Sequence, residues 1–254
     1  MVWFAKDQGS RRGLTSDRLI VVSALLIVVG SAWAYLWAGA GMSMMMPAVW
    51  TPGYAVLMFF MWWIMMVAMM LPSATPMILV FARANHHQLE TGPARVATSI
   101  FVLGYLATWA AFSLVATLAQ WALQRMGLLT PSLVSTSVLL SSGILIAAGF
   151  YQLTTLKRAC LRHCRSPLAF VSTYWRQGAL GALRMGFVHG IFCVGCCWFL
   201  MGLLFFGGVM NLYWIAGLAL FVLFEKTVPA GHWLGYATGV VLLVWGAGML
   251  AKAI

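Results

Sequence analysis

Seven long apolar runs, separated by short polar connections, restrict this 254-residue chain to a membrane fold. A helix needs about 20 apolar residues to cross about 30 Å of hydrocarbon, and most of the runs reach that length. They lack the alternation of lipid-facing and lumen-facing residues that a transmembrane barrel requires. We therefore predict an all-α, polytopic bundle of about seven spans, at Leu19–Trp37, Tyr54–Ala82, Val96–Leu123, Leu133–Leu153, Gly186–Phe206, Val209–Phe224 and Leu234–Ala251.

The sixth run is the shortest of the seven and follows its predecessor almost without a loop. Six spans, with this run as a re-entrant segment, is the alternative. The composition agrees with either count, since 63% of residues are hydrophobic and 7% are charged. We expect a polar cytoplasmic segment at residues 1–18 and a single transmembrane domain at 19–254, with a basic inner loop at about 154–185.

The net charge of +11 follows a topological rule. Basic residues collect on the cytoplasmic side of a membrane protein, and with the N-terminus inside all Lys and Arg except Arg125 and Lys252 fall on that side. No long basic tail is present for a duplex to grip. We therefore expect contacts with membrane lipids and no nucleic acid partner. Cys160 and Cys164 then face a reducing compartment and Cys193, Cys196 and Cys197 begin near it, so free thiols are the expected state.

One face of the fifth run carries an imidazole and three thiols. His189, Cys193, Cys196 and Cys197 are offset by four, seven and eight positions, which places them within an arc of roughly 100° on a helix. Soft sulfur donors beside a neutral imidazole suit Cu(I) or Zn(II). The alternative is packing, since cysteine behaves as a small hydrophobe.

Methionines form a second candidate set. Four precede Pro47 in an outer loop, namely Met42, Met44, Met45 and Met46, and the second run contains Met61, Met65, Met66, Met69 and Met70. Thioethers bind Cu(I) without deprotonation, so they function in an oxidising compartment. Packing alone also produces such a stripe. Pro72 and Pro76 follow it, and we expect the helix to kink or unwind between Ser73 and Thr75.

The inner loop carries a third candidate set, in which Cys160, His163 and Cys164 would share a helix face. An unligated surface cluster is the alternative. Glu225 and Lys226 are adjacent in sequence and point to different sides of a helix, so we expect each to pair with another element. Glu225 is a candidate acceptor for His189 or His232, or a helix-terminal anchor.

Several strings carry a family resemblance: MWWIMMVAMMLPSATPM in the second run, HGIFCVGCCW in the fifth, then GVMNLYWIA and LFEKTVP. The chain resembles a bacterial family of predicted metal-binding integral membrane proteins, a domain family of unknown function whose members are sometimes labelled copper chaperones. The resemblance begins at about Ala55 and implies a multi-pass protein of the bacterial inner membrane. It carries over the methionines of the second run and the His189 set, while the Met42–Met46 and Cys160–Cys164 sets depend on our own interpretation.

Our leading hypothesis is an integral membrane protein that handles Cu(I), by capture, transfer or delivery. Outer methionines would bind the ion, the stripe would pass it inward and the His189 set would receive it. A copper donor or a membrane cuproenzyme would be the partner. The alternative is an enzyme, a thiol–disulfide oxidoreductase using the Cys193 and Cys196 pair. That alternative leaves the methionines and His189 unexplained, so we favour a protein that is not an enzyme.

Overall fold

The computed structural model describes the backbone of residues 2–40, 50–88, 94–130 and 132–253, and the side chains of residues 18–39, 50–85, 96–130 and 132–253. Within these residues the fold is all-helical, which confirms the predicted fold class. The helices are α1 (Val2–Ala40), α2 (Pro52–Gln88), α3 (Ala94–Arg125), α4 (Val138–Leu153), α5 (Thr155–Arg165), α6 (Pro167–Tyr174), α7 (Gly178–Gly202), α8 (Leu204–Gly207), α9 (Leu212–Thr227) and α10 (Gly231–Ala251).

Five apolar segments of the described chain are long enough to cross a membrane, namely Arg18–Gly39, Pro52–Asn85, Val96–Arg125, Gly178–Gly207 and Gly231–Ala251. Helices α4 and α5 together make a sixth candidate, although the pair is bent by 65°. The remaining predicted span corresponds to α9, whose 16 residues are short for a crossing. The shortest of the seven predicted runs therefore corresponds to a helix that falls short of a full span, and α4, also of 16 residues, reaches one only together with α5.

Helix α2 lies at the centre of the bundle and contacts α1, α3, α6 and α9. Its methionines are almost fully buried, including Met65, Met66 and Met70 at 0% exposure. The helix contains Pro72 and Pro76 but remains helical through both. Of the kink or unwinding expected between Ser73 and Thr75, the unwinding is therefore not observed.

Glycines allow α3 and α7 to cross closely. A Cβ atom added at Gly186 would collide with the backbone of Phe101, and one at Gly104 would collide with the backbone of Leu183. Small residues at such crossings let helix backbones approach, as in other membrane bundles. This contact places Tyr105 of α3 directly beside the middle of α7.

A sharp break separates α4 from α5. Thr154 lies at the break, where its hydroxyl donates to the Tyr151 carbonyl (2.8 Å) and accepts from the Lys157 amide (3.2 Å). Helix α5 then buries Lys157, Leu161 and Cys164 on one face and packs against α7. The predicted inner loop thus contains two short helices, α5 and α6, and the break directs the buried face of α5 towards α7.

Candidate metal centre

Helix α7 carries the imidazole and the three thiols of the main candidate set. His189, Cys193, Cys196 and Cys197 are all buried, with exposed fractions of 2%, 0%, 1% and 0%. All three cysteines are free thiols. The four side chains therefore point into the bundle and away from lipid.

Cys193 is the centre of the polar contacts in this region. Its Sγ atom accepts a hydrogen bond from the Lys226 amino group of α9 (Nζ–Sγ 2.9 Å) and lies 3.1 Å from the Tyr105 hydroxyl. The same hydroxyl donates to the Met70 carbonyl of α2 (3.1 Å), and Lys226 also donates to Ser73 (3.2 Å). Side chains from α3 and α9 thereby connect the thiol to α2.

The thiols of Cys196 and Cys197 turn back along their own helix. Each donates to the Cys193 carbonyl, at 3.1 and 3.0 Å respectively. Thiols are weak donors, and these bonds are of the local kind that a side chain in a helix makes with the preceding turn. To bind a shared metal, Cys196 and Cys197 would have to rotate about χ1, so that metal–sulfur bonds replace their hydrogen bonds to the Cys193 carbonyl.

One methionine of the α2 stripe lies against the thiols. The Sδ atom of Met70 is 3.9 Å from the Sγ atom of Cys197. Met61, Met65, Met66 and Met69 are buried along the preceding turns of α2, with exposed fractions of 3% or less. The inner end of the stripe therefore meets the thiol face of α7. Met42, Met44, Met45 and Met46 lie outside the described residues.

The third candidate set is divided by the structure. Cys164 is buried on the face of α5 that packs against α7. Cys160 is half-buried and lies close to α7, because a Cβ atom added at Gly195 would be only 2.8 Å from the Cys160 Sγ atom. His163 stacks in parallel on Phe192 of α7, with ring centroids 4.0 Å apart. Cys164 thus belongs with the α7 thiols, whereas His163 has an aromatic partner.

His189 lies one turn from Cys193 in an aromatic environment. Its ring stacks with Tyr105 (centroids 5.7 Å apart) and Phe101 (6.2 Å) and meets the edge of Phe170 (5.3 Å). The Nδ1 atom is buried and has no hydrogen-bond partner among the described residues. A buried ring nitrogen without a partner is costly, and a ligand or a bound water would satisfy it.

Sequence reasoning missed the pairings of the buried charges. Lys157 of α5 donates to Glu225 of α9 and to Gln152 of α4, and the lysine and the glutamate are 2% and 1% exposed. The expectation that Glu225 orients His189 or His232 is therefore wrong, because its described polar partner is Lys157. Lys226 was expected to pair with another element, and its contacts are Cys193 and Ser73. Charged residues inside an apolar run were the available signal, since such residues usually have a function.

No group of three or more His, Cys, Asp or Glu side chains that could hold a metal ion occurs among the described residues. The sulfur atoms nevertheless converge from three helices: α2 supplies Met70, α5 supplies Cys164 and α7 supplies the three thiols. Such a donor set is chemically suited to a soft, monovalent cation, because Cu(I) binds thiolate and thioether ligands. Among the described side chains, this is the region where thiols and a thioether meet.

Comparison with known proteins identifies a family. A model of the PpoB2 family, described as a copper chaperone, matches residues 59–249, which is well over half of the chain and includes α7 and most of α2. This match confirms the family resemblance found in the sequence. No curated protein matches the chain, and no solved structure does.

Proposed function

The chain belongs to the PpoB2 copper chaperone family, and from that premise we propose that it is a membrane protein that binds Cu(I) between α2, α5 and α7. Copper is the cargo in this proposal. The ligands are the thiols of Cys193, Cys197 and Cys164 and the thioether of Met70. Cys196 and His189 are reserve donors one turn or less away along α7.

The contact between Met70 and Cys197 is the observation that supports this proposal most directly. The two sulfur atoms are 3.9 Å apart, although their residues lie 127 positions apart in sequence. Methionine is also a common gap-filler in apolar cores, so burial alone would not favour a metal. What favours a metal here is that the buried thioether contacts the Cys197 thiol, one turn from Cys193, whose own thiol contacts the Lys226 ammonium.

Lys226 supplies the charge that such a site needs. With Cys193 and Cys197 bound as thiolates and Cys164 as a neutral thiol, the site with one Cu(I) ion carries a net charge of −1, which is costly in a bilayer unless a cation lies beside it. The Lys226 amino group donates to Cys193 at 2.9 Å and is held by Ser73 at 3.2 Å. A fixed ammonium at this distance balances the charge of the loaded site without coordinating the metal.

The geometry also implies a local rearrangement on binding. Cys197 bonds to the carbonyl of Cys193 in the helix, and rotation about its χ1 angle would exchange that weak bond for a metal–sulfur bond. The Met70 carbonyl is already bonded to Ser73 and Tyr105, which fixes the backbone next to the thioether. Most of the reorganisation would therefore fall on the thiols of α7.

The route of the ion follows from ligand softness. We place the capture step at the outer methionines Met42, Met44, Met45 and Met46, because thioethers need no deprotonation. Met61, Met65 and Met69 then provide thioethers about one helical turn apart along α2, with Met66 next to Met65. The thiols at the inner end bind more strongly than thioethers, which favours storage or delivery there. The partner would be a copper donor or a membrane cuproenzyme of the bacterial inner membrane.

Competition with a chromogenic Cu(I) chelator tests this proposal. The protein is purified in detergent under reducing conditions, and the affinity is measured for the wild type and for Cys193→Ala/Cys197→Ala. We expect one tightly bound Cu(I) in the wild type and at least a hundredfold weaker binding in the double variant. Loss of a residue that only supports a metal ligand typically lowers metal affinity 10–100-fold, and loss of the ligands themselves should lower it further.

Met185→Leu is the matched control, since Met185 is also buried on α7 but lies two turns before Cys193. It should bind Cu(I) as the wild type does. Equal affinity in the wild type and the double variant would exclude the thiol site. Retention of Zn(II) with no Cu(I) would exclude copper while leaving a metal site in place.

The contact between Lys226 and Cys193 also favours a second function, because a cation beside a thiol stabilises the reactive thiolate. Cys193 would then form a disulfide with Cys196 and transfer electrons to a membrane quinone. The burial of both thiols works against exchange with a protein partner. Mass spectrometry after incubation with an oxidised quinone distinguishes the two functions, since only the redox function yields a Cys193–Cys196 disulfide together with reduced quinone.

A further inference from the structure

A cleft of about 780 Å³ opens between α5 and the turn that joins α9 to α10. Its wall includes Arg158, Arg162 and Arg165 of α5 and His232 of the first turn of α10. We propose that this cleft binds the phosphate group of an anionic ligand, and that the head group of an anionic phospholipid is its source. The proposal does not depend on copper.

The positive charge of the cleft is not neutralised by the described side chains. Glu225 is the only carboxylate among them, and it is buried against Lys157. Arg158 and Arg162 have exposed side chains and no carboxylate partner in this part of the chain. Three guanidinium groups around one cleft repel one another, and an anion between them removes that repulsion.

Two of the three guanidinium groups are held in place. Arg165 donates from Nη2 to the carbonyls of Val228 and Pro229, at 2.7 and 2.6 Å. The guanidinium of Arg158 lies over the ring of Tyr236, 5.7 Å from its centroid. The planar, forked donors of arginine match the oxygens of a phosphate, and a fixed fork loses less entropy on binding.

The N-termini of two helices add to the positive electrostatic potential of the cleft. Helix α6 begins directly after Ser166, and α10 begins at Gly231, next to His232. Neither start is capped by a side-chain hydrogen bond. The N-terminus of a helix carries a partial positive charge, which favours an anion nearby.

The surroundings of the cleft indicate a lipid and not a free ion. Trp233 is 68% exposed in the first turn of α10, and exposed tryptophans mark the level of the lipid head groups. Leu156 and Leu168 are 61% and 75% exposed beside the arginines. A surface that combines exposed leucines with arginines suits a ligand with both an acyl chain and a phosphate.

Native mass spectrometry of the full-length protein tests this inference. The delipidated protein is mixed with phosphatidylglycerol or with phosphatidylcholine, and bound lipid is counted for the wild type, Arg158→Gln/Arg162→Gln and the control Arg176→Gln/Arg184→Gln. Both variants lose two charges, but Arg176 and Arg184 do not line the cleft. We expect phosphatidylglycerol to bind with a preference over phosphatidylcholine and the cleft variant to weaken that binding on the order of tenfold. The control variant should bind phosphatidylglycerol as the wild type does.

Inorganic phosphate provides the second arm of the experiment. Displacement of phosphatidylglycerol by millimolar phosphate, in the wild type and equally in the control variant, would support a phosphate site in the cleft and assign it to free phosphate. Resistance to phosphate would assign it to the lipid. Equal binding of both lipids, or equal losses in the cleft variant and the control, would overturn the proposal. The single variant Arg162→Gln guards against misfolding, since Arg162 is exposed and its loss should weaken lipid binding by itself.

Discussion

Two lysines are buried in the same bundle and have opposite kinds of partner. Lys157 pairs with the carboxylate of Glu225, whereas Lys226, the next residue of α9, pairs with the thiol of Cys193. A carboxylate neutralises an ammonium in a bilayer, and such a pair needs no function beyond joining α5 to α9. A thiol is a poor partner for a buried cation unless it becomes a thiolate or binds a metal. This difference is the reason to include Lys226 in the proposed Cu(I) site and to regard Lys157 as part of the framework.

Breaking the framework pair should give the largest loss of stability. Glu225→Gln leaves Lys157 buried without a counter-ion, and we expect about 3–5 kcal/mol of destabilisation. The measurement is thermal unfolding in detergent, followed by circular dichroism. Lys157→Met/Glu225→Met should recover most of this loss, because an apolar pair removes both charges; failure to recover would show that the ion pair does more than join the helices.

Replacing Lys226 should affect copper more than stability. In Lys226→Met the loaded site keeps its sulfur ligands but loses the cation that balances their charge. We expect Cu(I) affinity to fall by about 10–100-fold, as for other residues that support a metal ligand. The chelator competition described above measures it. An unchanged affinity, with unfolding at the wild-type temperature, would remove Lys226 from the site and erase the contrast with Lys157.

Met70→Leu should have a smaller effect on copper. Leucine fills nearly the same volume, so the change in stability should stay below about 1.5 kcal/mol. Loss of one thioether, with the thiolates still present, should lower the affinity for Cu(I) about tenfold, which is about 1.4 kcal/mol of binding free energy. Met185→Leu provides the control for volume, and a similar loss in both variants would attribute the effect to packing.

The smallest effect is expected at His163. Its ring stacks on Phe192 and its Nδ1 atom lies 2.9 Å from the Ala159 carbonyl, so both its faces of contact are already given to other groups than the thiols. His163→Phe should therefore leave Cu(I) affinity unchanged within twofold, an energy of about 0.4 kcal/mol. A loss as large as that of Met70→Leu would return His163 to the ligand set.

The fold class was predictable because the apolar runs are long and continuous. The positions of His189 and the three thiols on one buried helix followed from helical periodicity, which is a local property. The approach of Cys164 was not predictable, since it depends on the direction of α5 after the break at Thr154. The thiol partner of Lys226 was not predictable either, because it depends on how α9 packs beside α2 and α7.

The most direct test of the copper site is X-ray absorption spectroscopy of the purified protein after loading with one equivalent of Cu(I). We expect a first shell of sulfur atoms that is lost or depleted in Cys193→Ala/Cys197→Ala and shifted by Met70→Leu. A shell of nitrogen and oxygen alone, or a sulfur shell that persists unchanged in the double cysteine variant, would contradict it.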